Sequence, residues 1–252
     1  MDFFELTHGG SAHEVNEDAV SSWPCDDGLV FAVADGIGAE GGGNVASELA
    51  LSVFGREMVE APPTLSLVNR LRRAVQVANA ELYQKAVTVP ELSRMGTTLT
   101  ATALVGTSLV AAHVGDCRLW LLRDKRLVQL TKDHTWVWAH LPGTGTLEQT
   151  RGHPRRYSLP RCLGLELVVS VDVLSMELRS WDVLVHTSDG VHTALDEDDL
   201  QELLEAHPPE AACRALVRRA REEDSQDDVS VQIASVGLLP ANGSRSWWHW
   251  GR

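Results

Sequence analysis

The chain has 252 residues, 44% of them apolar, and its 35 Asp and Glu against 22 Lys and Arg give a formal net charge of −13. That length and apolar share are enough for one sizeable core. The acidic balance argues against a nucleic-acid partner, which is gripped through Lys and Arg on phosphates, and suits a soluble protein or one that holds cations.

The N-terminus opens with Asp2 and Glu5, without the basic and apolar regions of a signal peptide. Leu29 to Ala34 is an unbroken apolar run that stops at Asp35-Gly36, the pattern of a buried strand running into a loop. Val45, Ala46, Leu49, Ala50, Val53, Phe54 and Met58 recur at helical spacing until Pro62-Pro63. Leu67, Val68, Leu71, Ala74, Val75, Ala78 and Leu82 form the apolar stripe of a second helix.

From Gly96 the texture becomes that of strands. Thr97 to Val105 and Leu109 to Val114 predict a hairpin through Gly106-Thr107-Ser108, and Leu119 to Leu122 and Leu127 to Leu130 a second one through Asp124-Lys125. The stretch Leu99 to Val114 is too short and too often interrupted by Thr, Gly, Ser and His to cross a bilayer, so no transmembrane segment is expected. Residues 136–160, with their Gly and Pro, read as a loop-rich excursion; if extended, Trp136 and Trp138 would share one face. Leu167 to Leu174 and Val183 to Thr187 read as strands, Asp198 to Ala206 and Glu210 to Glu223 as helices, and Val229 to Val236 as a last strand.

Strands in runs with paired helices between them predict an antiparallel α+β layering. The expected domain is residues 1–239, and residues 240–252, with Trp247, Trp248 and Trp250, read as a flexible Trp-rich tail. Cys25, Cys117, Cys162 and Cys213 include no C-x-x-C pair, so reduced thiols and a cytoplasmic location are expected.

Carboxylates recur at strand ends: Glu17-Asp18, Asp35, Asp116, Asp189 and Asp227-Asp228. One such residue is an ordinary turn former. Five sites at one sheet edge would repel, and cations relieve that repulsion. Oxygen-only donors favour Mg²⁺ or Mn²⁺ over zinc.

The ordered set Asn16-Glu17-Asp18, Val33-Ala34-Asp35-Gly36-Ile37-Gly38, Gly96-Thr97-Thr98, Val114-Gly115-Asp116-Cys117-Arg118, Leu130-Thr131-Lys132-Asp133-His134-Thr135, Leu159-Pro160-Arg161-Cys162-Leu163-Gly164, Thr187-Ser188-Asp189-Gly190 and Asp227-Asp228-Val229-Ser230 resembles the motifs of the PPM (PP2C-like) protein Ser/Thr phosphatases in their compact bacterial form, over roughly residues 5–236. The resemblance implies a central antiparallel β-sandwich flanked by helix pairs. It implies a dinuclear Mn²⁺ or Mg²⁺ centre, with a third ion in bacterial members. Asp35 matches the bridging carboxylate and, with Asp18, is an expected catalytic residue; Gly36 matches the residue whose carbonyl binds metal; Asp189 and Asp227 match further ligands. Glu17 and Asp18 match the acidic pair, and Asp116 with Asp189 matches the third-metal site. The implied reaction is attack of a metal-activated water on phosphoserine or phosphothreonine. Phosphorylated proteins, among them a Ser/Thr kinase, are the implied partners, and a monomer is expected.

Three positions depart from the family's pattern. His13 stands where an Arg usually clamps the substrate phosphate; it is expected either to make a weaker, pH-sensitive phosphate contact or to leave that task to Arg118 or Arg161. Glu40 stands where bacterial members carry a His, and Cys117 where Ser is common, read as a small buried residue. These losses keep open a second reading, a catalytically weak or silent phosphoprotein-binding regulator of the same fold. His134 is expected to serve a structural hydrogen bond, and His113 and His186 to be satisfied core residues.

Overall fold

A computed structural model describes residues 1–25, 28–38, 42–62, 64–140, 155, 158–223 and 225–239. The proposed tail 240–252 and Glu40 lie outside the described residues. The elements in chain order are β1 (Asp2–His8), β2 (Asp18–Cys25), β3 (Gly28–Ile37), α1 (Gly42–Glu60), α2 (Leu67–Thr88), β4 (Gly96–Thr97), β5 (Leu99–Val105), β6 (Ser108–Val114), β7 (Arg118–Arg123), β8 (Arg126–Gln129), α3 (Trp136–His140), β9 (Asp172–Glu177), β10 (Val183–Thr187), α4 (Asp189–His192), α5 (Glu197–Ala206), α6 (Pro209–Glu222) and β11 (Val229–Ser235).

Two sheets form, ordered β1-β11-β10-β7-β8 and β2-β3-β5-β6-β9, with β4 paired to β3. Every ladder is antiparallel. The apolar run of β3 is continuous because both its faces are covered. Val30, Ala32 and Ala34 pack under α1 and α2 with Phe54, Leu71 and Leu82. Leu29 and Phe31 point the other way, into the layer between the sheets, against Leu104, Leu119 and Leu184. On the far side, α5 and α6 lay Leu200, Leu204, Leu216 and Val217 over Val185, Val231 and Ile233. The layering is α-β-β-α, as expected.

The hairpin at Asp124-Lys125 has φ of 51° and 59° at its two loop residues, the left-handed pair that matches strand twist. Several boundaries differ from the sequence reading. β1 and β2 were not anticipated, because their mixed, half-buried residues give no clean alternation. The expected strand at 167–174 begins only at Asp172. Before it, Asn79 on α2 donates to the carbonyls of Glu166 (2.9 Å) and Leu167 (3.1 Å), and Gln76 to that of Val169 (2.5 Å), so side chains rather than a neighbouring strand satisfy that backbone. Within the expected loop of 136–160, residues 136–140 are helical, and 141–154, 156 and 157 lie outside the described residues; Trp136 and Trp138, two apart on a helix, do not share a face.

His113 and His186 are core residues, as expected. His186 Nδ1 donates to Gln232 Oε1 at 2.9 Å and its Nε2 accepts from Thr102 Oγ1 at 2.8 Å. Burial lowers His186 to about 4, below the ordinary histidine value. Above the unfolded value both states are neutral and pH has no effect through this group. As pH falls from about 6.5 toward 4, the unfolded chain binds a proton that the native chain refuses, and stability drops by about 1.4 kcal/mol per pH unit. In urea titrations the stability difference, wild type minus His186→Gln, is therefore expected to fall by about 2 kcal/mol between pH 6.5 and 5. A difference that stays constant with pH would contradict the buried neutral state.

Candidate metal centre

Strand register makes the first pair. Asp18, opening β2, is the direct cross-strand partner of Asp35 near the end of β3. Like charges set opposite each other on paired strands are destabilising. Asp116 follows β6 in a turn, Asp189 opens α4 straight after β10, and Asp227 precedes β11. His13, Glu17, Asp35, Gly36, Asp116, Asp189 and Asp227 all line one cleft of about 410 Å³, whose rim is made by Ile37, Leu159 and Leu165. Asp18 is buried, at 7% exposure.

The local scaffold explains why these residues converge. Asp35 N–H donates to Thr98 Oγ1 at 2.9 Å, and Asp35 O accepts from Thr98 N–H (2.9 Å) and Thr97 Oγ1 (2.8 Å). Gly36 N–H donates to Glu17 O at 3.0 Å. A Cβ at Gly36 would stand 2.1 Å from Gly43 O, so only glycine lets the start of α1 approach β3 this closely. Glu17 Oε1 accepts from Gly43 N–H at 3.2 Å in the first turn of α1, where the helix end favours a carboxylate. Asp116 is flanked by two supports. His134 clamps Gly115, its N–H donating to Gly115 O (2.7 Å) and its Nδ1 accepting from Gly115 N–H (3.0 Å). Asp133 takes Arg118 through contacts of 2.7 to 3.2 Å. The supporting roles of Thr97, Thr98 and Asp133 had no signal in the sequence beyond their place in the motifs.

The electrostatics are those of crowded acid groups. Burial, then the charges of Asp189, Asp18, Asp116 and Asp227, hold the Asp35 carboxyl well above the usual carboxylate range. Asp116 is also raised well above that range, by burial first and then by Asp189 and Asp133, with Arg118 opposing. Burial pushes Asp18 up to about 8, the hydroxyls of Ser188 and Ser230 opposing and Asp189 and Asp228 adding to it. Glu17 is raised by burial, which His13 and the Gly43 amide oppose. Asp18 Oδ2 and Asp116 Oδ1 are buried without a hydrogen-bond partner among the described residues. Orphaned acceptors beside mutually repelling carboxylates match the needs of hard divalent cations, so the residues present fit a Mn²⁺ or Mg²⁺ centre.

Asp228 is different from Asp227. Its Oδ1 and Oδ2 accept from Gly10 N–H (2.7 Å) and Glu17 N–H (2.6 Å), which makes it a brace for the loop before β2. Arg118 and Arg161 are both engaged, with Asp133 and Asp172 respectively, and neither is among the residues lining the cleft. Cys117 is buried with Sγ 3.2 Å from Thr98 Oγ1, and burial pushes its thiol well above the usual range.

A sandwich of two antiparallel sheets between helix layers, with a carboxylate-rich cleft at its strand ends, is the architecture of a metal-dependent phosphatase of the α-β-β-α class. Residues 9–208 match the family described as protein phosphatase 2C, and the chain belongs to that family. It is 32% identical over 218 residues to the serine/threonine phosphatase stp of Listeria monocytogenes, covering 84% of this chain and 86% of that one. The crystal structure of the Mycobacterium tuberculosis serine/threonine phosphatase PstP/Ppp superposes with a TM-score of 0.84 at 30% identity, covering 94% of this chain and 98% of that one. The catalytic domain of PstP in complex with 2 manganese ions superposes with a TM-score of 0.79 at 28% identity, over 93% of this chain and 98% of that one.

Proposed function

We propose that this phosphatase hydrolyses phosphoserine and phosphothreonine in proteins with two divalent Mn²⁺ or Mg²⁺ ions, held by Glu17, Asp18, Asp35, the carbonyl of Gly36, Asp189 and Asp227, and that Asp116 with Asp189 offers a place for a third. The observation that carries it is the buried Asp18–Asp35 cross-strand pair with its orphaned Oδ2. A buried pair of facing carboxylates is costly to a sheet, and a cation shared between them offsets that cost. The chemistry that bound ions supply is Lewis acidity, toward water and toward the phosphoryl oxygens.

The chain's own residues do the rest. Thr97 and Thr98 fix the Asp35 peptide, and Gly43 fixes the Glu17 carboxylate, so the acid groups are set before substrate arrives. The apolar rim of Ile37, Leu159 and Leu165 sheds water around the phosphorylated side chain. A Ser/Thr kinase among the phosphorylated partner proteins, a monomeric state, a cytoplasmic location, and a catalytic unit of residues 1–239 with 240–252 as a tail complete this reading. Among the described residues no helix is long and apolar enough to cross a membrane.

The test is hydrolysis of a phosphothreonine peptide by protein stripped with EDTA and then reloaded. Turnover is expected to vanish on stripping and to return with Mn²⁺. Metal binding without turnover would favour the silent regulator.

A further inference from the structure

The loop between β1 and β2 is strapped to the turn before β11. Besides the two bonds to Asp228, the N–H groups of Ser11 and Ala12 both donate to Gln226 O at 2.8 Å. A Cβ at Gly10 would lie 2.2 Å from Gln226 O and 2.3 Å from Asp227 O, so the two backbones can touch only because residue 10 is glycine. This strap fixes where residue 13 stands. His13 Nδ1 lies 3.9 Å from Glu17 Oε2, and one donor atom each of His13, Asp227 and Asp228 lie within 4.8 Å of one another. The same acidic end holds the unpartnered, buried Asp18 Oδ2.

Donor atoms that share one small divalent cation, at about 2.1 Å each, lie roughly 3 to 4.2 Å apart. The His13–Glu17 separation falls inside that window. The His13 ring stands beside the carboxylates of Glu17, Asp227 and Asp228. Asp228 already accepts two amides, so the carboxylates left beside His13 are those of Glu17 and Asp227.

From this we infer that His13 is a nitrogen ligand of the divalent centre, alongside Glu17 and Asp227, and that it sets a preference for Mn²⁺ over Mg²⁺. The inference rests on the metal-centre reading above. Both ions suit oxygen donors, but Mg²⁺ keeps its waters and demands near-ideal octahedral oxygen geometry, whereas Mn²⁺, the first member of the transition series, accepts a single imidazole nitrogen more readily.

Pulsed EPR of the full chain loaded with Mn²⁺ tests it directly. A ¹⁴N coupling from a bound imidazole is expected, replaced by a ¹⁵N coupling after ¹⁵N-histidine labelling and lost in His13→Gln. In competition titrations, His13→Gln is expected to lower the ratio of Mn²⁺ to Mg²⁺ affinity about tenfold. The His13 side chain is 47% exposed, so this variant keeps its fold, which circular dichroism checks. Mn²⁺ bound without nitrogen coupling, or an unchanged affinity ratio in His13→Gln, overturns the inference and leaves the phosphatase reading standing. Failure to bind Mn²⁺ at all overturns both.

Discussion

Asp35→Asn is expected to reduce kcat on a phosphothreonine peptide by about 10³-fold or more while raising the melting temperature of the metal-free protein. The two effects share one cause. Burial first, and then the charges of Asp189, Asp18, Asp116 and Asp227, oppose the ionisation of Asp35. An amide of the same shape neither repels its neighbours nor has to take up a proton on folding, so the stripped protein gains stability. It also removes the carboxylate proposed to join the ions, at a cost of several kcal/mol of transition-state stabilisation. Steady-state kinetics, calorimetric Mn²⁺ titration and a thermal scan with and without metal read the three quantities. Near-normal turnover in Asp35→Asn would place the centre elsewhere. Loss of both activity and metal-free stability would make Asp35 a structural residue.

Phe31→Ala is expected to cost about 3–5 kcal/mol of unfolding free energy. The ring is fully buried between the sheets, 5.4 Å from Phe3 and 4.6 Å from the His186 ring. Sheets facing each other cannot close around a hole of this size without breaking their ladders, so the cavity persists. Domains of this kind are stable by only about 5–15 kcal/mol, and a loss of this size shifts the urea midpoint well within a measurable range. Phe31→Leu, which keeps much of the volume, is expected to lose far less. Equal losses for the two variants would show that the inter-sheet layer is loosely packed.

The acidic centre was partly legible because the chain marks its strand ends. Apolar runs that stop abruptly at Asp35, Asp116 and Asp189 need no partner to be recognised. Other supports were hidden. Thr98 holds the Asp35 amide from 63 residues away, and Asp228 braces Glu17 across 211 residues. Such spacing carries no periodic signal, and a threonine or a second aspartate looks ordinary where it stands. Arg118 and Arg161 were candidates for the phosphate because both lie in motifs; their pairing with Asp133 and Asp172 emerged only from the fold.

By itself the sequence determined which residues are apolar at helical and strand periods, where runs end in carboxylates, and that donors are oxygen-rich. Those follow from local chemistry and the 3.6 and 2.0 repeats of the backbone. Only the tertiary structure decided that Asp18 faces Asp35, that β1 closes on β11 over more than two hundred residues, and that Gly10 lets His13 stand against Glu17 and Asp227. Register and close approach are set by how sheets twist and pack against one another, and no stretch of chain read alone contains its partner.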